Sequence, residues 1–154
     1  MISPAKLFSR VDPMSNSVKA KTFSVKTSYV LYGTPAKVFE ALTQEGIIGQ
    51  WCDGGGKVEP KVDGDVELFG GWVKGKVVMF DSRGKKLAYT WKPEEWDKKT
   101  SPSLVEYTLK PHAAGTEIFV EHSGFPSQTE ADKHLSGWTD YVFEPLNDYF
   151  SSLL

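Results

Sequence analysis

Residues 127–153 read SQTEADKHLSGWTDYVFEPLNDYFSSL, and this stretch decides the fold. It opens with Ser127-x-x-Glu130, a capping box: the hydroxyl can accept an unpaired backbone N–H of the first turn, and the carboxylate sits at the positive end of the helix dipole. Beyond the box, Leu135, Trp138, Val142, Leu146, Tyr149 and Leu153 recur at spacings of three and four. That period lays an apolar stripe along a helix, predicted from about Ser127 to Ser152. Pro145 falls inside the stripe. It has no N–H to bond the Tyr141 carbonyl, so a kink is expected there. A helix with one long apolar side needs a broad apolar surface to lie on.

The preceding sequence supplies that surface. Thr22 to Tyr32 is rich in Thr, Ser, Val and Tyr, and Phe23, Val25, Thr27, Tyr29 and Leu31 share one side of a strand. Gly33-Thr34-Pro35 then starts a helix, with Thr34 as cap, Pro35 at the first helical position and Val38, Phe39 and Leu42 on its apolar face. A second short helix is predicted over Glu45 to Trp51, ending at Asp53-Gly54-Gly55-Gly56, a mobile turn. Strands follow at Val66–Phe69, Trp72–Phe80, Lys86–Pro93, Ser103–Lys110 and Thr116–Ser123. Asp63-Gly64-Asp65, Ser82-Arg83-Gly84 and Ala114-Gly115 mark turns. Alternation puts Leu87, Tyr89 and Trp91 on one face, as it does Val105, Tyr107 and Leu109, and Ile118, Val120 and His122. Turns every ten or so residues mean antiparallel hairpins. The expected architecture is α+β: a curved antiparallel sheet of about six strands wrapped around a long C-terminal helix, with two short helices after the first strand. Residues 1–18 show neither period and read as a flexible arm, leaving 19–154 as one domain.

Composition narrows the function classes. With 154 residues, 40% hydrophobic and 25% charged, the chain is an ordinary globular one with room for a core. Eighteen basic residues against twenty acidic give a net charge of −2, which supplies no field for nucleic acid or an anionic membrane. No apolar run approaches a membrane span or a signal-peptide core, and no Asn-x-Ser/Thr site occurs, so a cytoplasmic protein is expected. The single cysteine, Cys52, fits a reducing compartment.

Chemistry-bearing patterns are sparse. His112, His122 and His134 fall on a turn, a strand and a helix, with no HExxH or CxxC spacing, so no metal and no cofactor is expected. Gly54-Gly55-Gly56-Lys57 is followed by Val58 rather than Ser or Thr, which fails as a phosphate loop. Ser82-Arg83-Gly84-Lys85 has the S-x-x-K pattern but lies in a hairpin turn without companion motifs. Cys52 has no basic neighbour in sequence and reads as a half-buried residue at a helix end. His122 follows the inward phase of its strand and reads as a hydrogen-bonded core histidine or a group facing a cavity. Glu106 and Glu121 take the outward phase, leaving no inward carboxylate pair for acid–base catalysis. The run Glu94-Glu95-Trp96-Asp97-Lys98-Lys99 reads as a solvated loop with an exposed tryptophan. Aromatics form 13% of the chain; Trp51, Tyr89, Trp91, Tyr107, Trp138 and Tyr141 either line a cavity between sheet and helix or fill it.

Four motifs carry a resemblance: Thr34-Pro35-Ala36-Lys37-Val38-Phe39-Glu40-Ala41-Leu42-Thr43, Trp72-Val73-Lys74-Gly75-Lys76-Val77, Gly115-Thr116-Glu117 with Phe119, and Gly124-Phe125-Pro126 through Gly137-Trp138 to Phe143-Glu144. In this order and spacing, over about residues 20–153, the chain resembles the START-like (SRPBCC) helix-grip superfamily. More closely it resembles the AHSA-type family, the C-terminal domain of the activator of the ninety-kilodalton heat-shock chaperone's ATPase. The resemblance implies the helix-grip fold and a small hydrophobic ligand between sheet and helix; the inward phases and the helix stripe offer Trp51, Tyr89, Trp91, Tyr107, His122, Trp138, Tyr141 and Val142 to hold it. It also implies an alternative, a co-chaperone-like interaction module with a chaperone partner. Some relatives catalyse cyclisation or ring hydroxylation, and the missing acid–base or metal set argues for a non-enzyme here. The eukaryotic activators carry a further N-terminal domain for which 154 residues leave no room, so weak or absent chaperone stimulation is expected. A monomer or weak homodimer is the expected state.

Overall fold

The structure, a computed structural model, describes residues 23–154; the expected arm over 1–18 and the start of the domain at 19 lie outside the described residues. The first strand, β1 (Phe23–Leu31), leads into α1 (Pro35–Thr43), whose N-terminus is capped as expected, the Lys37 N–H donating to Thr34 Oγ1 at 3.3 Å. Then come α2 (Glu45–Trp51), β2 (Lys57–Val58), β3 (Asp65–Leu68), β4 (Val73–Asp81), β5 (Lys86–Pro93), β6 (Ser103–His112) and β7 (Gly115–Phe125). The chain ends in a continuous helix built of α3 (Gln128–Gly137), a π-helical segment (Trp138–Phe143) and α4 (Glu144–Ser152). None of the described helices is long and apolar enough to cross a membrane.

Among the described residues seven strands form one antiparallel sheet in the order β1-β7-β6-β5-β4-β3-β2. The seventh strand, beyond the six or so expected, is the two-residue β2, too short to show a period in sequence. Trp72 lies just outside β4 because the chain first makes a 3₁₀ turn at Phe69–Gly71. Leu31, Leu87, Tyr89, Trp91, Val105, Tyr107, Ile118 and Val120 on the sheet pack against Trp138, Phe143, Leu146 and Phe150 of the helix. Burial of each large apolar side chain contributes about 1.5–3 kcal/mol. A smaller cluster of Val25, Phe125 and Ala131, flanked by Phe23 and Trp96, closes the end where α3 begins.

The helix departs from the expected stripe. Leu135 is 43% exposed and Leu153 63% exposed, while Ala131, His134, Trp138, Val142, Leu146 and Phe150 face inward. These inward residues after Ala131 recur every four positions. In an α-helix such a repeat drifts about 40° per step around the axis, so it would leave the sheet within three turns. The π-helical segment absorbs the drift with one extra residue: the Glu144 N–H reaches back five positions to the Thr139 carbonyl. Pro145, which has no donor to offer, follows at once, so the expected kink takes the form of this change of ladder register.

A second correction concerns Trp96. It is half-buried against Phe125 and its Nε1–H donates to Glu130 Oε1 at 2.7 Å, so the loop after β5 is anchored to α3 rather than free. The capping box is half used for the same reason. The Glu130 N–H donates to Ser127 Oγ at 3.1 Å, while the Glu130 carboxylate turns to Trp96 and Lys133.

Candidate functional site

The inward phase of β5 carries Trp91 near the end of the strand, and the inward side of the helix brings His134, Trp138 and Val142 opposite it. Trp91 and Trp138 touch directly, ring centroids 5.3 Å apart. From that contact outward a cleft of about 500 Å³ opens between the helix and the rim of the sheet. Phe69, Trp72, Trp91, His134, Trp138 and Tyr141 wall it; Gly137 and Val142 lie along the helix side; Asp53, Glu95, Glu130 and Lys133 supply its charge.

The two turns on the sheet side are interlocked. Gly54 has φ +83°, and a Cβ there would sit 2.9 Å from the Gly70 nitrogen, so only glycine permits the approach. The Gly70 N–H donates to the Gly55 carbonyl at 3.0 Å, and the Phe69 N–H to Cys52 Sγ at 3.4 Å. The glycine turn is therefore held in place by its partner. Phe69 has φ +54°, a left-handed conformation that costs an aromatic residue about 1–2 kcal/mol. The strain lays its ring edge-on to both Trp72 and Trp91, 6.2 Å from each.

Behind the cleft, polar groups form one connected chain. Trp138 Nε1–H donates to His122 Nδ1 at 3.1 Å, and His122 Nε2–H to Ser103 Oγ at 2.8 Å. The Ser103 hydroxyl donates to the Trp91 carbonyl at 2.6 Å. Trp91 Nε1–H donates to His134 Nε2 at 3.2 Å, and His134 Nδ1–H to the Glu130 carbonyl at 2.9 Å. Every donor has one acceptor, which assigns the tautomers and holds both imidazoles neutral. Burial, with His134 adjacent, pushes the His122 pKa down to about 2, and burial lowers that of His134. Neither ring is free to serve as a base.

Of the eight residues expected to hold a ligand, the cleft brings together Trp91, Trp138, Tyr141 and Val142. The other four lie in the core. Trp51 donates its Nε1–H to the Ala41 carbonyl at 2.8 Å, tying α2 to α1. Tyr89 and Tyr107 meet hydroxyl to hydroxyl at 2.5 Å, and burial raises both pKa values. The Tyr107 ring lies edge-on against Trp138 at 5.7 Å, so contact replaces open space at this depth. His122 is the center of the chain of bonds just described. Cys52 is buried at the end of α2, and burial raises its thiol pKa.

Sequence reasoning missed Phe69, Trp72, His134 and the charged rim. His134 stands four residues before Trp138, the spacing of one helix face, and that signal was present. Phe69-Gly70-Gly71 announces a turn, but not the left-handed phenylalanine within it. Among the described residues no three His, Cys, Asp or Glu side chains come close enough together to hold a metal.

Comparison with known proteins places this geometry. No curated protein matches the chain. Protein MLL2253 from Mesorhizobium loti is similar, with TM-score 0.72 and 25% identity, over 84% of this chain and 98% of that one. PFC0360w, an HSP90 activator from Plasmodium falciparum, aligns with TM-score 0.68 and 20% identity, over 84% and 96% of the two chains. CalU16 from Micromonospora echinospora aligns with TM-score 0.66 and 20% identity, over 84% and 73%. The family described as Activator of Hsp90 ATPase homolog 1-like protein matches residues 33–151. With the helix-grip fold and that match across most of its length, the chain belongs to the Activator of Hsp90 ATPase homolog 1-like family, of the START (SRPBCC) type.

Proposed function

We propose that this chain is a non-enzymatic module that binds a small, largely apolar ligand in the cleft between the sheet rim and the C-terminal helix. One observation carries the reading: a 500 Å³ cleft walled by five aromatic rings and a neutral imidazole. Its volume falls inside the roughly 300–1,000 Å³ range of small-molecule sites, and a few polar groups at the mouth can fix orientation. Apolar burial at about 25 cal/mol per Å² permits micromolar affinity after the cost of association. The groups behind the cleft are fully committed to one another, which favours binding over catalysis. The single buried Cys52 suits a reducing compartment such as the cytoplasm.

Trp72, Trp91 and Trp138 line the space, so occupancy reads out as a change in tryptophan emission. Fatty acids, sterols and flavonoid-like aromatics are titrated into the parent and into Gly137→Phe. A Cβ at Gly137 would meet only Tyr141 Cδ2, at 4.0 Å, so the new ring enters the cleft without disturbing the core. Binding by the parent and its loss in the variant is expected. If no ligand changes emission or melting temperature, or if Gly137→Phe binds as well as the parent, the cleft is not a binding site. Family membership favours a second reading, a co-chaperone-like module using an exposed surface. Its test is the ATPase rate of a cognate chaperone with the chain added. A several-fold rise in turnover on adding the chain would put that reading first.

A further inference from the structure

The charge around the cleft is lopsided. Asp53, Glu95 and Glu130 contribute three carboxylates against the single ammonium of Lys133. Lys133 is already committed, its Nζ 2.9 Å from Glu130 Oε2, and the other Glu130 oxygen accepts from Trp96. His134 adds no charge, because both its ring nitrogens are bonded in the neutral form. Asp53 and Glu95 therefore remain without a cation within 4 Å among the described residues, and they give the cleft a net charge of −2. The neighbouring groove on the far side of Trp72 is different in kind, with Lys74, Lys76, Lys92 and Lys98 set against Asp65, Glu67 and Glu94.

The walls reinforce the sign of the rim. An aromatic ring attracts a cation to its electron-rich face, tryptophan most strongly. Trp72 and Tyr141 stand at the mouth, half exposed, with Trp91 and Trp138 deeper. Trp72 Nε1–H donates to Glu95 Oε1 at 2.6 Å, and a carboxylate on that N–H pushes electron density into the indole. One residue thus supplies both an anionic group and a polarised ring. A carboxylate-bearing ligand would meet the opposite field.

We propose that the cleft selects organic cations: a protonated or quaternary amine carried on a small apolar body. This deepens the ligand-binding reading and rests on it. The apolar body fills the space beside Trp91, Trp138 and Val142, and the cationic head stays at the mouth between Trp72, Tyr141, Glu95 and Asp53.

Three probes with one chain length separate the two ideas: octyltrimethylammonium, 1-octanol and octanoate, each titrated against tryptophan emission at low and at high salt. Exposed carboxylates alone favour a cation only a few-fold, and the rings bring the expected preference for the ammonium over the alcohol to about tenfold. Octanoate is expected to bind weakest, and added salt to narrow the spread. Glu95→Gln keeps an acceptor for Trp72 while removing the charge, and Asp53→Asn removes the second free carboxylate of the cleft. Together they should cut the preference for the ammonium over octanol several-fold. If the ammonium binds no tighter than the alcohol, or the double variant keeps its preference, cation selection is wrong while the cleft remains a site. If none of the three probes binds, both readings fall.

Discussion

Protonation of His122 is the sharpest perturbation the structure offers. In the fold its Nδ1 accepts from Trp138 and its Nε2–H donates to Ser103, so a proton added to Nδ1 would face an N–H donor at a fully buried site. The unfolded chain protonates near the ordinary histidine value of about 6.5, whereas the folded value is about 2. Between those values the unfolded state binds the extra proton, so stability must fall as pH falls. The slope is about 1.4 kcal/mol per pH unit below the unfolded pKa. By pH 4.5, two units below it, His122 alone removes about 3 kcal/mol relative to pH 8. That figure depends on the unfolded value and only requires the folded one to lie well under 4.5. Carboxylates titrate over part of the same range, so the assay is a comparison: urea unfolding of the parent and of His122→Gln at pH 8, 6.5, 5.5 and 4.5. Glutamine cannot titrate, and the variant should be less stable at pH 8. The gap should shrink by about 3 kcal/mol, or reverse, by pH 4.5. Parallel stability curves for the two proteins would refute the assignment of a neutral, locked imidazole.

Three further outcomes follow from the packing. Trp138→Ala should lower stability by about 3–5 kcal/mol, because it empties a site 2% exposed and strips His122 Nδ1 of its donor; an unchanged denaturation midpoint would show the helix face to be misassigned. At position 69 the usual ranking should invert: Phe69→Gly should be more stable than Phe69→Ala by about 1 kcal/mol, since only glycine is at ease with φ +54°, and equal midpoints would remove the strain from the turn. Cys52 should react slowly with a thiol reagent at pH 8 in the native protein and at ordinary rates in urea; rapid native labelling would contradict a buried thiol of raised pKa.

The fold was legible because its signals are local and redundant. Thr34-Pro35 and Ser127-x-x-Glu130 both cap helices where expected, and alternation placed Tyr89, Trp91, Tyr107 and His122 on the inner face. The cleft was less legible, because depth within a face has no sequence signature. Tyr89 and Trp91 share a phase on β5, yet one is sealed against Tyr107 and the other reaches the cleft. A period of three and four puts Leu153 inward, and the π-helical turn before it, which that period omits, carries it out to solvent. The rim residues Asp53, Glu95 and Glu130 come from three segments far apart in the chain. Only the folded arrangement of turns brings them together.

The five tryptophans have one thing in common that bears on how this protein can be watched. Each indole N–H has a different acceptor: the Ala41 carbonyl for Trp51, the Glu95 carboxylate for Trp72, the His134 imidazole for Trp91, the Glu130 carboxylate for Trp96 and the His122 imidazole for Trp138. Acceptor chemistry sets a proton's resonance frequency, so the molecule carries five dispersed, built-in spectroscopic reporters. Their exchange with deuterium grades them by depth: the indoles of Trp51 and Trp138 are released only by global opening, those of Trp72 and Trp96 by motion of a single loop. One labelled amino acid type therefore surveys the C-terminal helix, the rim and the core in a single spectrum.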